Sequence, residues 1–177
     1  GERLNTGTDL YFPIIAHLPE SKVNRFNDPY FNNASTNFST SGATATLMSV
    51  TTYGTGVQIE KTAASGTAGY VGLRRLSLDV STQYTISFSL KGSTSLGATI
   101  AYRPNNTAST TTGQVSLNTA LGTIIYDGEW HRYTATFTTT STAPGTTPAG
   151  LTFQTATSVA SGTTAQISGI VVRAGAV

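Results

Sequence analysis

The chain contains no cysteine, and only 10% of its 177 residues are charged. Without cysteine it has neither a disulfide framework nor thiolate chemistry. Secreted eukaryotic β-sandwiches often carry disulfides, so this absence favours a bacterial or viral origin. No apolar run reaches the length of about 20 residues that a membrane helix needs, and we expect no membrane insertion.

Positive charge is sparse and scattered. Seven arginines and three lysines give a formal net charge of +2 and form no basic run. A protein that follows a phosphate backbone needs clustered basic side chains. We therefore expect no nucleic-acid partner.

The acidic residues offer little for catalysis. Of the eight carboxylates, Asp127 and Glu129 lie close together, but an Asp-Gly turn explains the first and an exposed strand start the second. His17 and His131 lack the spacing of metal ligands, and no Gly-x-Ser-x-Gly elbow occurs. The sequence predicts a non-enzymatic protein without catalytic residues, metal ligands or cofactor.

Threonine and glycine are abundant, with 34 and 18 residues. Threonine suits a pleated, half-exposed strand, and glycine suits the turns between strands. Regularly spaced short strands predict an all-β sandwich or barrel. The predicted strands are Ala43–Val50, Val57–Lys61, Tyr70–Arg75, Gln83–Lys91, Ala98–Tyr102, Gly113–Leu117, Glu129–Thr140, Ala149–Ala156 and Thr164–Arg173.

Two segments show the strand period of two clearly. In residues 84–90, the apolar side chains should face the core and the polar side chains should face out. The inward set is Tyr84, Ile86, Phe88 and Leu90, and the outward set is Thr85, Ser87 and Ser89. In residues 127–140, an Asp-Gly turn precedes Trp130 and an alternating strand. Alternation places Trp130 away from the core or at the sandwich edge, and a structural role is favoured over stacking on a sugar.

Residues 1–23 differ in composition from the rest and are predicted to form an N-terminal arm or linker. Pro13 interrupts the apolar cluster of residues 10–15, which disfavours a central strand. The arm packs either onto a neighbouring subunit, giving a homo-oligomer, or as a strap across the sandwich. Residues 24–177 are predicted to form one domain.

Several stretches in order resemble the carbohydrate-binding modules of the family 4/9 type. The stretches are residues 24–33, which correspond to the family's Asn-rich N-x-x-F opening, 83–92, 127–140, 151–154 and 165–172. The resemblance covers roughly residues 24 to 173. It implies a jelly-roll β-sandwich of about eight to ten antiparallel strands, a galactose-binding-like fold, and a glycan as the ligand.

The chain departs from the pattern of this family in two features, a calcium site and the aromatic rings of the sheet. Many of them hold a structural calcium between the opening stretch and an acidic residue of the last strand. Asp28 could serve at the first end, but Ser168 and Gly169 stand where the acid is expected. Outward strand positions here are mostly Thr and Ser, whereas sugar-binding sheets generally present Trp or Tyr rings.

Tyr102 and Arg103, at a strand end before a polar loop, are the favoured ligand-binding pair. A tyrosine ring can stack on a sugar, and a guanidinium can form paired hydrogen bonds to it. Tyr70 and Arg74 share strand parity, and Tyr53 lies in the preceding loop; with Trp130 they complete the candidate set. The alternative for Tyr102 and Arg103 is a tyrosine that caps the strand beside an arginine in solvent.

The sequence thus predicts a non-catalytic glycan-binding or receptor-binding domain of a phage tail fibre or other virion surface protein. Its partners would be a cell-surface glycan and other virion or fibre subunits, and its location extracellular or on the virion surface. Two alternatives remain: a structural decoration or fibre protein that uses the fold for assembly, or an accessory module of a polysaccharide-active enzyme.

Overall fold

A computed structural model describes residues 24–26, 38–50, 54–73, 76–105, 111–146 and 148–176. The described chain forms ten strands in two five-stranded antiparallel sheets and one short helix. The prediction of a jelly-roll β-sandwich is confirmed. Within the described ranges, no helix is long and apolar enough to cross a membrane. The predicted arm at residues 1–23 lies outside the described residues.

The two sheets each combine strands that are distant in sequence. The first sheet has the order β1-β4-β9-β6-β7, and the second has the order β2-β3-β10-β5-β8. The strands are β1 (Phe38–Ser41), β2 (Ala43–Val50), β3 (Gly54–Lys61), β4 (Tyr70–Leu73), β5 (Gln83–Lys91), β6 (Thr99–Arg103), β7 (Val115–Ser116), β8 (His131–Thr138), β9 (Gly150–Gln154) and β10 (Thr164–Ala174). Helix α1 (Asn118–Leu121) follows β7.

The predicted bounds of β2 and β5 agree with the structure at both ends. The other predicted strands occur with shifted ends. Strands β3, β6 and β10 extend past a predicted bound, whereas β7, β8 and β9 are shorter than predicted. Arg74 and Arg75, at the predicted end of β4, lie outside the described residues. Two elements were not predicted: β1, which pairs with β4, and the single-turn helix α1. Gly128 has a φ of 86°. A positive φ is what the expected Asp-Gly turn before β8 requires.

The core lies between the inner faces of the two sheets, and aromatic rings join them. Phe88 of β5 meets Phe153 of β9 edge to face at 6.0 Å between ring centroids. Tyr102 of β6 packs against Phe137 of β8 at 5.9 Å. The inward set predicted for residues 84–90 is confirmed, since Tyr84, Ile86, Phe88 and Leu90 are all buried.

The outward set of the same strand is only partly exposed. Thr85 and Ser89 point away from the core, as predicted, yet both are buried. Thr85 donates to the carbonyl of Gly175, and Ser89 accepts from the Arg132 guanidinium. Side chains and chain ends therefore cover part of the second sheet's outer face.

Residues 24–26, at the start of the described chain, are hydrogen-bonded to the last strand where its pairing is irregular. The register of β10 against β5 shifts between Ser168 and Val171. Asn24 fits there: its Oδ1 accepts from the backbone N–H of Val172 at 2.8 Å, and its Nδ2 donates to the Ile170 carbonyl. The same Oδ1 accepts from Phe26, whose ring is buried. The Asn-x-Phe motif thus anchors the chain's entry into the core.

A buried cation fixes the connection between β9 and β10. Lys61 is fully buried, and its ammonium donates to the carbonyls of Ala156, Thr157 and Val159. Burying a charge is unfavourable unless it is hydrogen-bonded, and three carbonyls satisfy all three of its donors. The lysine therefore has a structural role.

Candidate functional site

The outer face of the first sheet is formed by alternate residues of β4, β9 and β6. Leu73, Leu151 and Tyr102 pair as one row and face the core. The adjacent row is Gly72, Thr152 and Ala101, and it faces outward because side chains alternate between faces. This outer row consists of small residues, which leaves room above the middle of the sheet.

Arg103 occupies that space. The backbone of Arg103 pairs with Gly150, and Gln154 lies four positions further along β9. The arginine side chain therefore extends along the strands to reach Gln154. Its Nη2 donates to Oε1 of Gln154 at 2.8 Å, and its Nε donates to Oε1 of Gln114 at 2.5 Å. One guanidinium thus holds two amide side chains.

Tyr70 covers the same guanidinium. The guanidinium carbon of Arg103 lies 5.0 Å from the centroid of the Tyr70 ring, within the range of a cation–π contact. A Cβ on Gly72 would come within 2.9 Å of the Tyr70 hydroxyl, so the ring needs a glycine beneath it. We call Tyr70, Arg103, Gln114 and Gln154 the Arg103 cluster.

Exposure divides the Arg103 cluster into two parts. Arg103 and Tyr70 are 2% and 3% exposed, while Gln114 and Gln154 are half-buried. Both amide oxygens accept from Arg103, so each Nε2 is directed away from the guanidinium. Within the described part of the chain, neither Nε2 has a hydrogen-bond partner. The arrangement can present two oriented amide donors at the surface of the sheet.

Two polar loops meet beside the cluster. The backbone N–H of Gly145 donates to the carbonyl of Pro104 at 3.1 Å. Thr140 donates through its hydroxyl to the carbonyl of Gly113 at 3.4 Å. The loop after β8 therefore contacts the loop after β6, at the end of the first sheet where β6 ends with Arg103.

The structure separates the predicted pair Tyr102 and Arg103. Strand β6 extends through Arg103, so the two neighbours point to opposite faces. Tyr102 is 2% exposed between the sheets, and burial raises the pKa of its phenol. The expectation that its ring is presented to a ligand is wrong. Tyr70 and Arg103 do come together, while Tyr53 and Arg74 lie outside the described residues.

Trp130 precedes β8, which begins at His131, so strand alternation does not place it. The ring is half-buried and has contacts in the structure. The neighbouring turn is held by Asp127, whose carboxylate accepts from the Glu129 N–H and bonds to His131 at 2.9 Å. The hydrogen bond with His131 is the main cause that lowers the pKa of Asp127.

The residues near the bulge of β10 do not fit the calcium that the resemblance implies. The Gly169 carbonyl accepts from the Arg132 guanidinium at 2.6 Å, and the Ser168 hydroxyl donates to the Thr55 carbonyl. The Arg132 guanidinium already bonds to the Gly169 carbonyl oxygen, and calcium needs several more hard oxygen ligands. Asp28 lies outside the described residues, and the described part of the chain holds no cluster of three potential metal ligands.

Gln114 and Gln154 were not identified from the sequence. Both stand near predicted strand ends, and nothing local distinguishes them from other polar residues. A usable signal was the parity of Arg103: as the last residue of β6 it shares a face with Thr99 and Ala101, opposite the core. An arginine on a sheet face of small residues is expected to find hydrogen-bond acceptors on neighbouring strands, because buried polar groups are hydrogen-bonded.

No protein-family model and no curated protein sequence matches the chain. Solved structures do match. The chain is similar to the N-terminal cellulose-binding domain of Cellulomonas fimi β-1,4-glucanase C, with 14% identity and a TM-score of 0.53 over 88% of this chain and 99% of that domain.

Two longer proteins also match. One is an arabinose-bound α-L-arabinofuranosidase, with a TM-score of 0.58, 14% identity and 85% of this chain covered. The other is the enzymatically active domain of tailspike protein 4 of bacteriophage CBA120, with a TM-score of 0.58, 14% identity and 86% covered. The chain spans 26% and 22% of their lengths. At these identities, the similarity shows a shared fold.

Proposed function

We propose that the chain is a non-catalytic glycan-binding domain and that it recognises sugars on the outer face of the first sheet. The observation that carries the proposal is the Arg103 cluster, a set of polar and aromatic side chains on a face that the core does not use. Ligand sites place a small number of oriented polar groups that fix the ligand's orientation. The similarity to a cellulose-binding domain over its whole length supports this class of ligand.

The two half-buried amides of the cluster would make the direct contacts. Gln114 and Gln154 would donate from Nε2 to sugar hydroxyls, and exposed Thr99, which pairs with Gln154, would extend the surface. Arg103 would act as a positioning residue, because it is almost fully buried and holds both amides. Tyr70 would act through the guanidinium that it covers. The family 4/9 type of module and the contributions of Trp130, Tyr53 and Arg74 remain predictions.

A non-catalytic role is supported by the separation of the described carboxylates. Asp79 accepts from the hydroxyl of Tyr84, and Glu60 lies on the outer face of the second sheet opposite Thr164. Asp127 and Glu129 share one turn. Glycoside hydrolysis needs two carboxyl groups that face each other across a sugar, and none of these residues suggests such a pair.

We further propose that the domain belongs to a phage tail or another virion surface protein, where it binds a receptor outside the cell and contacts other virion subunits. The fold similarity to a phage tailspike domain and the low charge support this setting. The alternatives are a fibre protein that uses the fold for assembly and an accessory module of a polysaccharide-active enzyme. A homo-oligomer formed through residues 1–23 also remains a proposal.

A glycan array with the isolated chain tests the proposed function. The parent protein should bind at least one class of glycan, and a Gln114→Ala, Gln154→Ala double variant should lose most of that signal. Thr134→Ala, an exposed position on the second sheet, is the control and should bind like the parent. A blank array for the folded parent would favour the assembly role instead.

A further inference from the structure

A polar pocket lies on the second sheet, where β5 ends and β10 begins. Its volume is about 260 Å³. This is slightly below the range of about 300–1,000 Å³ that is typical of pockets for drug-sized ligands, so it suits a single small ring. Its described lining includes Lys91, Gly92, Ser93, Gly128, Thr164 and Gln166.

Two neighbouring side chains of this pocket have unused hydrogen-bonding groups. Lys91 and Gln166 pair across β5 and β10, and both are half-buried. Within the part of the chain that the structure describes, neither the Lys91 ammonium nor the Gln166 amide has a hydrogen-bond or ion-pair partner. Lys61 and Arg103, in contrast, use their charged groups in structural hydrogen bonds.

Two glycines form the other wall of the pocket. The backbone N–H of Gly128 donates to the carbonyl of Gly92 at 2.9 Å, which joins the turn before β8 to the end of β5. A Cβ on Gly92 would come within 2.9 Å of the Tyr126 ring. The wall is thus built from backbone with a ring packed behind it, and its shape does not depend on flexible side chains.

The geometry points to a second binding site that takes one carboxylate-bearing sugar unit, of the uronic acid type. The single ammonium of Lys91 matches one carboxylate, and the Gln166 amide and the Ser93 and Thr164 hydroxyls match ring hydroxyls. A phosphate would find one cation here, because the described lining holds neither an arginine fork nor a helix N-terminus beside Lys91. The site lies on the opposite sheet from the Arg103 cluster and does not depend on it.

Titration of the isotope-labelled chain with sodium glucuronate, glucose and inorganic phosphate, followed by NMR, tests the proposal. Glucuronate should shift the backbone signals of Lys91, Ser93 and Gln166, with at least about tenfold higher affinity than glucose or phosphate. Equal binding of phosphate and glucuronate would identify a general anion contact and overturn the proposal. Shifts confined to other surfaces would also overturn it.

Variants separate the role of the lysine from that of net charge. Lys91→Gln should weaken glucuronate binding about tenfold, and Lys91→Arg should keep most of it. Arg173→Gln removes the same charge at the far end of β10 and should bind like the parent. Thermal melting checks that each variant is folded. Unchanged glucuronate affinity in folded Lys91→Gln would rule out the proposed site, whatever the array shows for the first sheet.

Discussion

Arg103 and Gln154 are 51 positions apart in the chain, yet Nη2 of the arginine donates to Oε1 of the glutamine at 2.8 Å across β6 and β9. The same guanidinium also holds Gln114 and lies over Tyr70. An almost fully buried cation on the outer face of a sheet therefore organises the polar groups around it. Stability and ligand binding should both depend on this residue.

Replacing Arg103 should destabilise the chain. Arg103→Met removes two charge-assisted hydrogen bonds and leaves two amide oxygens without their donor, so we expect a loss of about 2–3 kcal/mol in the free energy of unfolding. Arg103→Lys should recover only part of this, because an ammonium does not reproduce the planar fork. Urea unfolding monitored by tryptophan fluorescence provides the measurement. Equal stability of the parent and Arg103→Met would show that the cluster is not structurally coupled.

Lys61 should be essential for the connection between β9 and β10. Lys61→Met leaves three carbonyls without a donor, and we expect a loss of about 3 kcal/mol. Hydrogen exchange should show faster exchange in residues 156–163 than elsewhere. Lys91→Gln removes one charge from a half-buried position and should change stability by less than about 0.5 kcal/mol. Similar effects of the two lysine variants would contradict the structural role of Lys61.

Asn24 should couple the opening motif to the last strand. Asn24→Ala removes two acceptor bonds and one donor bond, with an expected loss of about 1–3 kcal/mol. Asn24→Asp keeps the acceptor for the Val172 N–H but places a negative charge near the Ile170 carbonyl, so it should recover only part of the loss. Exchange of the Val172 amide hydrogen reports this directly. Unaltered protection of that amide in Asn24→Ala would contradict the account.

The turn before β8 should depend on pH through Asp127. Its pKa is lowered, chiefly by the hydrogen bond with His131. A lowered carboxyl pKa means that the stabilisation is present above the pKa of an unfolded aspartate, and that it is lost as the pH falls through the folded pKa. His131→Ala should therefore raise the pKa of Asp127 in an NMR titration of its carboxyl carbon. An unchanged titration in that variant would exclude His131 as the cause.

The strands could be predicted where the sequence alternates regularly. The limits of β5 follow from residues 84–90, because a strand with one buried face has a fixed period of two. Strand β1 escaped prediction because its four residues carry no such pattern. The end of β6 was placed one residue early, and this small error put Arg103 in a loop and paired it with Tyr102.

The candidate site could be predicted only in part. Tyr70 and Arg103 were identified by their residue types, but Gln114 and Gln154 become neighbours of Arg103 only through the order β4-β9-β6-β7. The pairs β4-β9 and β9-β6 join strands that are not consecutive, so local sequence patterns do not contain them. The row of small residues Gly72, Thr152 and Ala101, which makes room for the arginine, also forms only when these strands assemble.

Mapping of a bound oligosaccharide by NMR tests the central claim most directly. The glycan with the strongest array signal is added to the isotope-labelled chain, and the shifts of backbone and side-chain amides are followed. We predict the largest shifts at the side-chain amides of Gln114 and Gln154 and at the backbone of Thr99, with little change at Thr134. Shifts centred on the second sheet, with the Arg103 cluster unaffected, would contradict glycan recognition on the outer face of the first sheet.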